Sequence, residues 1–206
     1  MEVHREPNPR FAEHVAEAIR VLQLPTEVSG LHYHPFGVYS VPLAKRTDEE
    51  GTWSRRLHLW HPEATPVGEA SPYGVHTHSG PARSHVLYGS LYHHLYQFEA
   101  DAAGVWQRAC LGEPEGRATL LDHVFAETRT GQTHSFPANH AHGVTKPDGW
   151  SISLFSQLDG PTTQEFTTWQ RTDVSAEPLL RKGPVPVTEV ARDALLCLEG
   201  NAPRQQ

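Results

Sequence analysis

Between residues 31 and 171 the chain is a succession of short runs rich in Val, Leu, Tyr, Trp and Thr, broken by clusters of Gly, Pro and Asp. β-Branched and aromatic side chains suit a pleated, half-buried surface, and Gly and Pro supply the turns between strands. Strands are expected near 31–41, 55–61, 73–78, 84–98, 104–111, 118–128, 132–136, 141–146, 150–157 and 164–171. Gly51, Pro66–Gly68, Gly80-Pro81, Ala102–Gly104, Glu113–Gly116, Gly131 and Asp148-Gly149 punctuate them. So many short strands must close on themselves or stack, because an open sheet leaves hydrogen-bonding edges bare. The expected class is therefore all-β, a sandwich or jelly-roll barrel whose mouth is a natural small-molecule site.

Two helices should flank this core. Asn8-Pro9 suits a helix start, and Phe11, Val15, Ala18, Ile19 and Leu22 recur at helical spacing, so a helix is expected over about 9–23, ended by Pro25. Thr188 can cap a last helix over 189–198, with Val190, Ala194, Leu195 and Leu198 as its apolar side and Gly200 as its end. With 206 residues and no internal repeat, the chain reads as a single domain, 1–206, with a β core over about 55–171. A formal charge of −7 argues against a nucleic-acid partner, and no apolar run is long enough to span a membrane. Two cysteines make no disulfide framework and the first residues hold no secretory apolar core, so a cytoplasmic protein is expected.

The chemistry lies in the histidines, of which there are 15. His76 and His78 stand at i and i+2 in a strand-like run, so both rings project from one face, near enough to share a metal ion. A third ligand is expected from GQTHSFPANHAHGV, residues 131–144, where a turn at Pro137 and Asn139 precedes His140 and His142. The two share strand parity, so either can complete the triad. Isolated histidines elsewhere, such as His4, His14, His32, His34, His58, His93 and His94, read as surface or satisfied core groups, and His85 should point away from the pocket.

These two segments resemble the two motifs of the cupin superfamily. The first, G-x5-H-x-H-x3–4-E-x6-G, is met by His76, His78 and Gly89; Ala82 stands at the glutamate position, with Arg83 beside it, and no Gly precedes His76 at the usual interval. The second, G-x5-P-x-G-x2-H-x3-N, is met in register by Gly131, Pro137 and His142, with Asn139 in place of the second Gly and Lys146 in place of the final Asn. Asn also visits left-handed turn conformations, so the exchange at 139 is tolerable. The resemblance implies a cupin-type double-stranded β-helix with His76, His78 and His142 as metal ligands. By that register His142 is preferred over His140.

Three neutral imidazoles would leave a divalent ion its full charge and several open positions, which suits an anionic chelating substrate with dioxygen or water beside it. Three-His sites of this kind resemble those of cupin thiol, diketone-cleaving and gentisate-type dioxygenases. The activity expected is that of a non-haem Fe(II) dioxygenase acting on a small anionic metabolite, with Zn, Ni, Mn or Cu as alternative metals. The other classes are a non-oxidative lyase, isomerase or hydrolase, and a binding barrel without turnover. Four further residues are expected to serve the site. Arg83 would pair with a substrate carboxylate, Tyr88 would face the barrel interior as a proton donor, His134 would line the pocket mouth, and His140 would contact substrate. The apolar run 84–98 suits cover by a second sheet or by a second copy in a homodimer.

Overall fold

The computed structural model describes residues 5–34, 37–63, 69, 74–110, 113–146, 148–160, 166–174 and 185–201. Tyr73, the Pro66–Gly68 turn, residues 164–165 of the last expected strand and the tail after Asn201 lie outside them. The elements run β1 (Arg5–Pro7), α1 (Phe11–Leu22), α2 (Thr26–Ser29), β2 (His32–His34), β3 (Val38–Asp48), β4 (Gly51–Trp60), β5 (Val75–His76), β6 (Ala82–Tyr88), β7 (Ser90–Ala100), β8 (Trp106–Cys110), β9 (Glu113–Arg129), β10 (Gln132–Phe136), β11 (Ala141–Thr145), β12 (Ser151–Leu158), β13 (Thr167–Arg171) and α3 (Val187–Asn201). The class is all-β with flanking helices, as expected. Seven strands form one sheet in the order β1-β10-β6-β12-β4-β3-β2, and six close on themselves as β11-β5-β13-β8-β9-β7. All pairings are antiparallel. This is the jelly-roll, cupin-type arrangement.

Strand alternation sorts the side chains of the seven-stranded sheet into two cores. Leu57 and Leu59 of β4, Leu87 of β6, and Ile152 and Leu154 of β12 are fully buried against Val15, Ala18 and Leu22 of α1 and Val190, Ala194 and Leu198 of α3. Each such side chain contributes roughly 1.5–3 kcal/mol by leaving water, so packing rather than helix propensity holds the helices in place. Arg55, on the same face, is locked by two hydrogen bonds to Glu17 of α1. The opposite face of β4, β6 and β12 presents Arg56, His58, Trp60, Ser84, Ser153, Phe155 and Gln157 to the space between the sheets.

Several expected boundaries move: 31–41 is two strands, the strand expected over 73–78 ends at His76, and Gly51 and Glu113–Gly116, expected as breaks, lie inside β4 and β9. The run 84–98 is two strands, because Gly89 (φ 71°) turns the chain from one sheet into the other. Its two apolar faces thus come from membership of two sheets. Gly200 lies within α3, which extends to Asn201, and Thr188 sits inside its first turn. Helix α1 starts at Phe11, with Asn8 Oδ1 accepting the Arg10 N–H at 3.0 Å in the turn before it.

Gly89 also admits no side chain, since a Cβ would lie 2.3 Å from the Trp150 carbonyl oxygen. Gly89→Ala is expected to destabilise the fold by at least about 2 kcal/mol, from the left-handed φ together with the clash. Guanidinium denaturation checks this; an unchanged midpoint would show that the turn relaxes freely.

Candidate metal centre

His76 ends the two-residue strand β5, which is clamped in the closed ring between β11 and β13, with His142 and Thr168 as its opposite neighbours. After it the chain stays anchored. The Thr77 N–H donates to the Thr167 carbonyl at 3.0 Å, and the Asn139 N–H donates to the His78 carbonyl at 2.9 Å. Asn139 is in the left-handed region (φ 62°), the single non-glycine there among the described residues. This residue, at the glycine position of the second motif, therefore ties the loop before β11 to the loop after β5.

The result brings His76, His78 and His142 together, with their ligand-type atoms all within 4.8 Å of one another. The ring centroids are 5.1 Å (His76–His78), 4.5 Å (His76–His142) and 4.7 Å (His78–His142) apart. A carbonyl can only accept, so His142, whose Nδ1 lies 3.4 Å from the His140 carbonyl oxygen, carries its proton on Nδ1 and leaves Nε2 bare. Gln157 donates through Nε2 to Ser79 Oγ at 3.1 Å and hydrogen-bonds to His78, fixing one nitrogen of that ring. Such outer hydrogen bonds orient histidines for metal ligation. Burial lowers the His142 pKa to about 4, and burial with the nearby His142 and His58 rings holds His78 well below the ordinary value. Both of these rings are thus neutral at pH 7, the form that binds metal. Three convergent imidazoles fit a divalent transition metal.

Three phenylalanines surround the triad. Phe136 lies 4.5 Å from His142, Phe155 4.9 Å from His78 and Phe166 5.6 Å from His76. The glutamate position of the first motif, Ala82, is buried beside Phe136 and Leu95. The triad opens into a cavity of about 300 Å³ lined by residues of both sheets, and no Asp or Glu is among its described lining residues.

The four further residues lie elsewhere. Arg83 points out of the barrel, bonded to both carboxylate oxygens of Glu50 (2.7 and 2.8 Å) and stacked over the Trp53 ring. Strand parity puts it opposite the inward Ala82 and Ser84. Tyr88 has the inward parity, yet it packs with the helices and bonds to Cys197. The cause is a bulge. Ile152 pairs with Tyr88 but Ser153 pairs with Val86, so Leu87 is an extra residue and reverses the alternation. His140 precedes β11, is exposed, and bonds its own turn at the Ala138 carbonyl. It reaches the triad only through its carbonyl, which accepts from His142. His134 is fully buried and stacked on His93 at 4.4 Å, in the interior and not at the mouth. His85 faces the helices, as expected, 4.7 Å from His14.

Sequence reasoning missed Arg56, His58 and His93, all of which line the cavity. Arg56, His58 and Trp60 share one parity on β4, and that alternation was the available signal. Nothing in the sequence said which parity faces inward.

No family model matches the chain, and no curated protein does. Solved structures with a similar chain course include a deletion mutant of Bacillus subtilis oxalate decarboxylase OxdC (11% identity, TM-score 0.42, covering 69% of this chain and 31% of that one). A hypothetical protein from Leishmania major is also similar (14% identity, TM-score 0.40, covering 68% and 82%), as is KdgF from Halomonas sp. (16% identity, TM-score 0.32, covering 63% and 86%). This chain spans about a third of the length of the oxalate decarboxylase chains it matches. At these identities and TM-scores none of them bears on activity, and the jelly-roll assignment rests on the strand pairing itself.

Proposed function

We propose that the chain is a metal-dependent enzyme in which His76, His78 and His142 hold Fe(II), acting as a dioxygenase on a small anionic chelating metabolite. The observation that carries this reading is the donor set: three imidazoles converge in a cavity whose described lining holds no carboxylate. Divalent iron held this way would keep its full charge and open positions, and so would supply both a place for an anionic chelator and the electrons for dioxygen chemistry. The chain's own residues do the rest. Phe136, Phe155 and Phe166 exclude water around the triad. His140 and Gln157 hold the ring orientations through their carbonyl and carboxamide. Arg56, not Arg83, is the cation of the described cavity lining.

A non-oxidative lyase, isomerase or hydrolase using Zn, Ni or Mn would need a general base. With no carboxylate in the described lining, that role would fall to a histidine. The two readings part in one experiment, a screen of small organic anions on iron-loaded protein with and without oxygen. Substrate loss with stoichiometric oxygen uptake, absent under anaerobiosis, is the expected result. Equal turnover without oxygen would overturn the dioxygenase reading.

A further inference from the structure

The cavity has a second polar end that the triad does not use. His93 of β7 is 1% exposed and lines the cavity, and neither of its ring nitrogens has a hydrogen-bond partner among the described residues. One face of the ring is covered by His134, stacked at 4.4 Å and 7°. Phe136 stands nearly perpendicular at 5.2 Å, and the same Phe136 is 4.5 Å from His142. His93 is therefore one aromatic ring removed from the triad. A neutral imidazole carries one donor and one acceptor, and leaving both unmet in a buried site is costly compared with an apolar residue of the same shape. Burial, and then the neighbouring His134 ring, keeps it neutral.

The other end is charged. Arg56 is the exposed member of the described lining, and its guanidinium has no ion pair or hydrogen bond to any described residue. His58 shares its strand face and stacks on Phe155 at 5.5 Å and 13°, while Phe155 in turn contacts His78. The triad is thus flanked on both sides by a phenylalanine backed by a histidine. One side leads to Arg56 at the surface and the other to His93 in the interior.

We propose that one ligand spans this cavity, with its anionic group on the Arg56 guanidinium and an uncharged hydroxyl-type group on the ring edge of His93. The proposal rests on reading the cavity as the substrate site. A hydroxyl both donates and accepts, so it meets a neutral imidazole at either nitrogen, whereas a carboxylate can only accept and so meets the N–H nitrogen alone. Guanidinium suits a carboxylate through paired hydrogen bonds. About 300 Å³ is at the small end of ligand pockets, so the ligand is a short hydroxy acid rather than a large one.

The test uses ω-hydroxy carboxylates of two to five carbons against the unsubstituted acids of the same lengths, by calorimetry on the full chain, metal-free and Zn-loaded. At least one hydroxy acid should bind about tenfold or more tightly than its plain counterpart. Arg56→Gln should weaken both members of that pair about tenfold or more. His93→Phe, which keeps the stacking, should remove the preference for the hydroxyl while leaving the plain acid unaffected, and His93→Gln should restore part of it. In wild-type protein, where no substitution can disturb folding, the His93 ring ¹⁵N resonances should shift with the hydroxy acid and not with the plain one. Equal binding of the paired acids, affinity independent of Arg56, unmoved His93 resonances, or binding by no member of the series would each overturn the proposal. Failure of the metal reading is separate. It would appear as no metal retained by wild type, with the Arg56 and His93 dependence intact in the metal-free chain.

Discussion

His142→Ala is expected to lower the affinity of the chain for divalent metal by at least about a hundredfold, since loss of a mere outer partner of a metal-ligating histidine already costs 10–100-fold. The alanine removes one of three donors whose ligand atoms lie within 4.8 Å of each other, and leaves two, too few to compete with water for a labile ion. Metal content after dialysis, with calorimetric titration of each variant, measures it. His140→Ala is the paired control. Its side chain is exposed and the structural role of His140 is its backbone carbonyl, which alanine keeps, so metal retention should be unchanged. Full retention by His142→Ala, or loss in His140→Ala, would reverse the assignment of the third ligand.

Acid should destabilise the metal-free protein steeply, well above the pH at which carboxylates titrate. His14 and His142 have pKa values lowered to about 4, and His58 and His85 to about 3, in each case chiefly by burial. A histidine whose folded pKa is depressed contributes stability that is fully present above its unfolded value near 6.5. Below that pH the unfolded chain takes up protons that the folded chain refuses, so stability falls as pH drops from about 6.5 through the folded values and levels off beneath them. The direction is thus loss on acidification. For the fully buried His142 the loss is on the order of 3 kcal/mol. Glu13, whose carboxyl is lowered to about 2 by its Arg10 partner, adds a loss of the same sign at lower pH. Guanidinium denaturation at pH 7, 5.5 and 4.5 should show a progressively earlier midpoint. A midpoint constant from pH 7 to 4.5 would mean that these imidazoles are hydrated in solution. His14→Asn should flatten the curve, because Asn8 Nδ2 lies 3.2 Å from His14 Nδ1 and a carboxamide oxygen accepts at that place without titrating.

All ten expected strand segments carry strand, and β10 falls at residues 132–136, as read. Where the reading failed, the missing information was tertiary in each case. Gly89 was legible as the closing glycine of the first motif yet fell inside one expected strand, 84–98, and only the pairing of β6 and β7 in different sheets shows that the chain changes sheet there. Tyr88 had the right parity and the wrong face, because the bulge at Leu87 exists only in the pairing of β6 with β12. Arg83 and Arg56 are both strand arginines with polar neighbours, and the choice between them depends on which face of the seven-stranded sheet the helices cover.

The spacing of His76, His78 and His142 was legible in sequence alone, although their convergence is tertiary: β5 ends at His76, His78 lies in the loop that the Asn139 N–H anchors, and β11 pairing sets His142 opposite His76. The all-β class was legible too, since it follows from β-branched runs and turn residues that act within a few positions of themselves. What only the tertiary structure decided is the company the triad keeps: Arg56 at the open end, His93 within, and three phenylalanines between. Those side chains come from strands far apart in the chain, and their inward or outward sense is fixed by sheet register, a bulge and the docking of two helices. Burial against distant partners determines all three, and no local pattern encodes it.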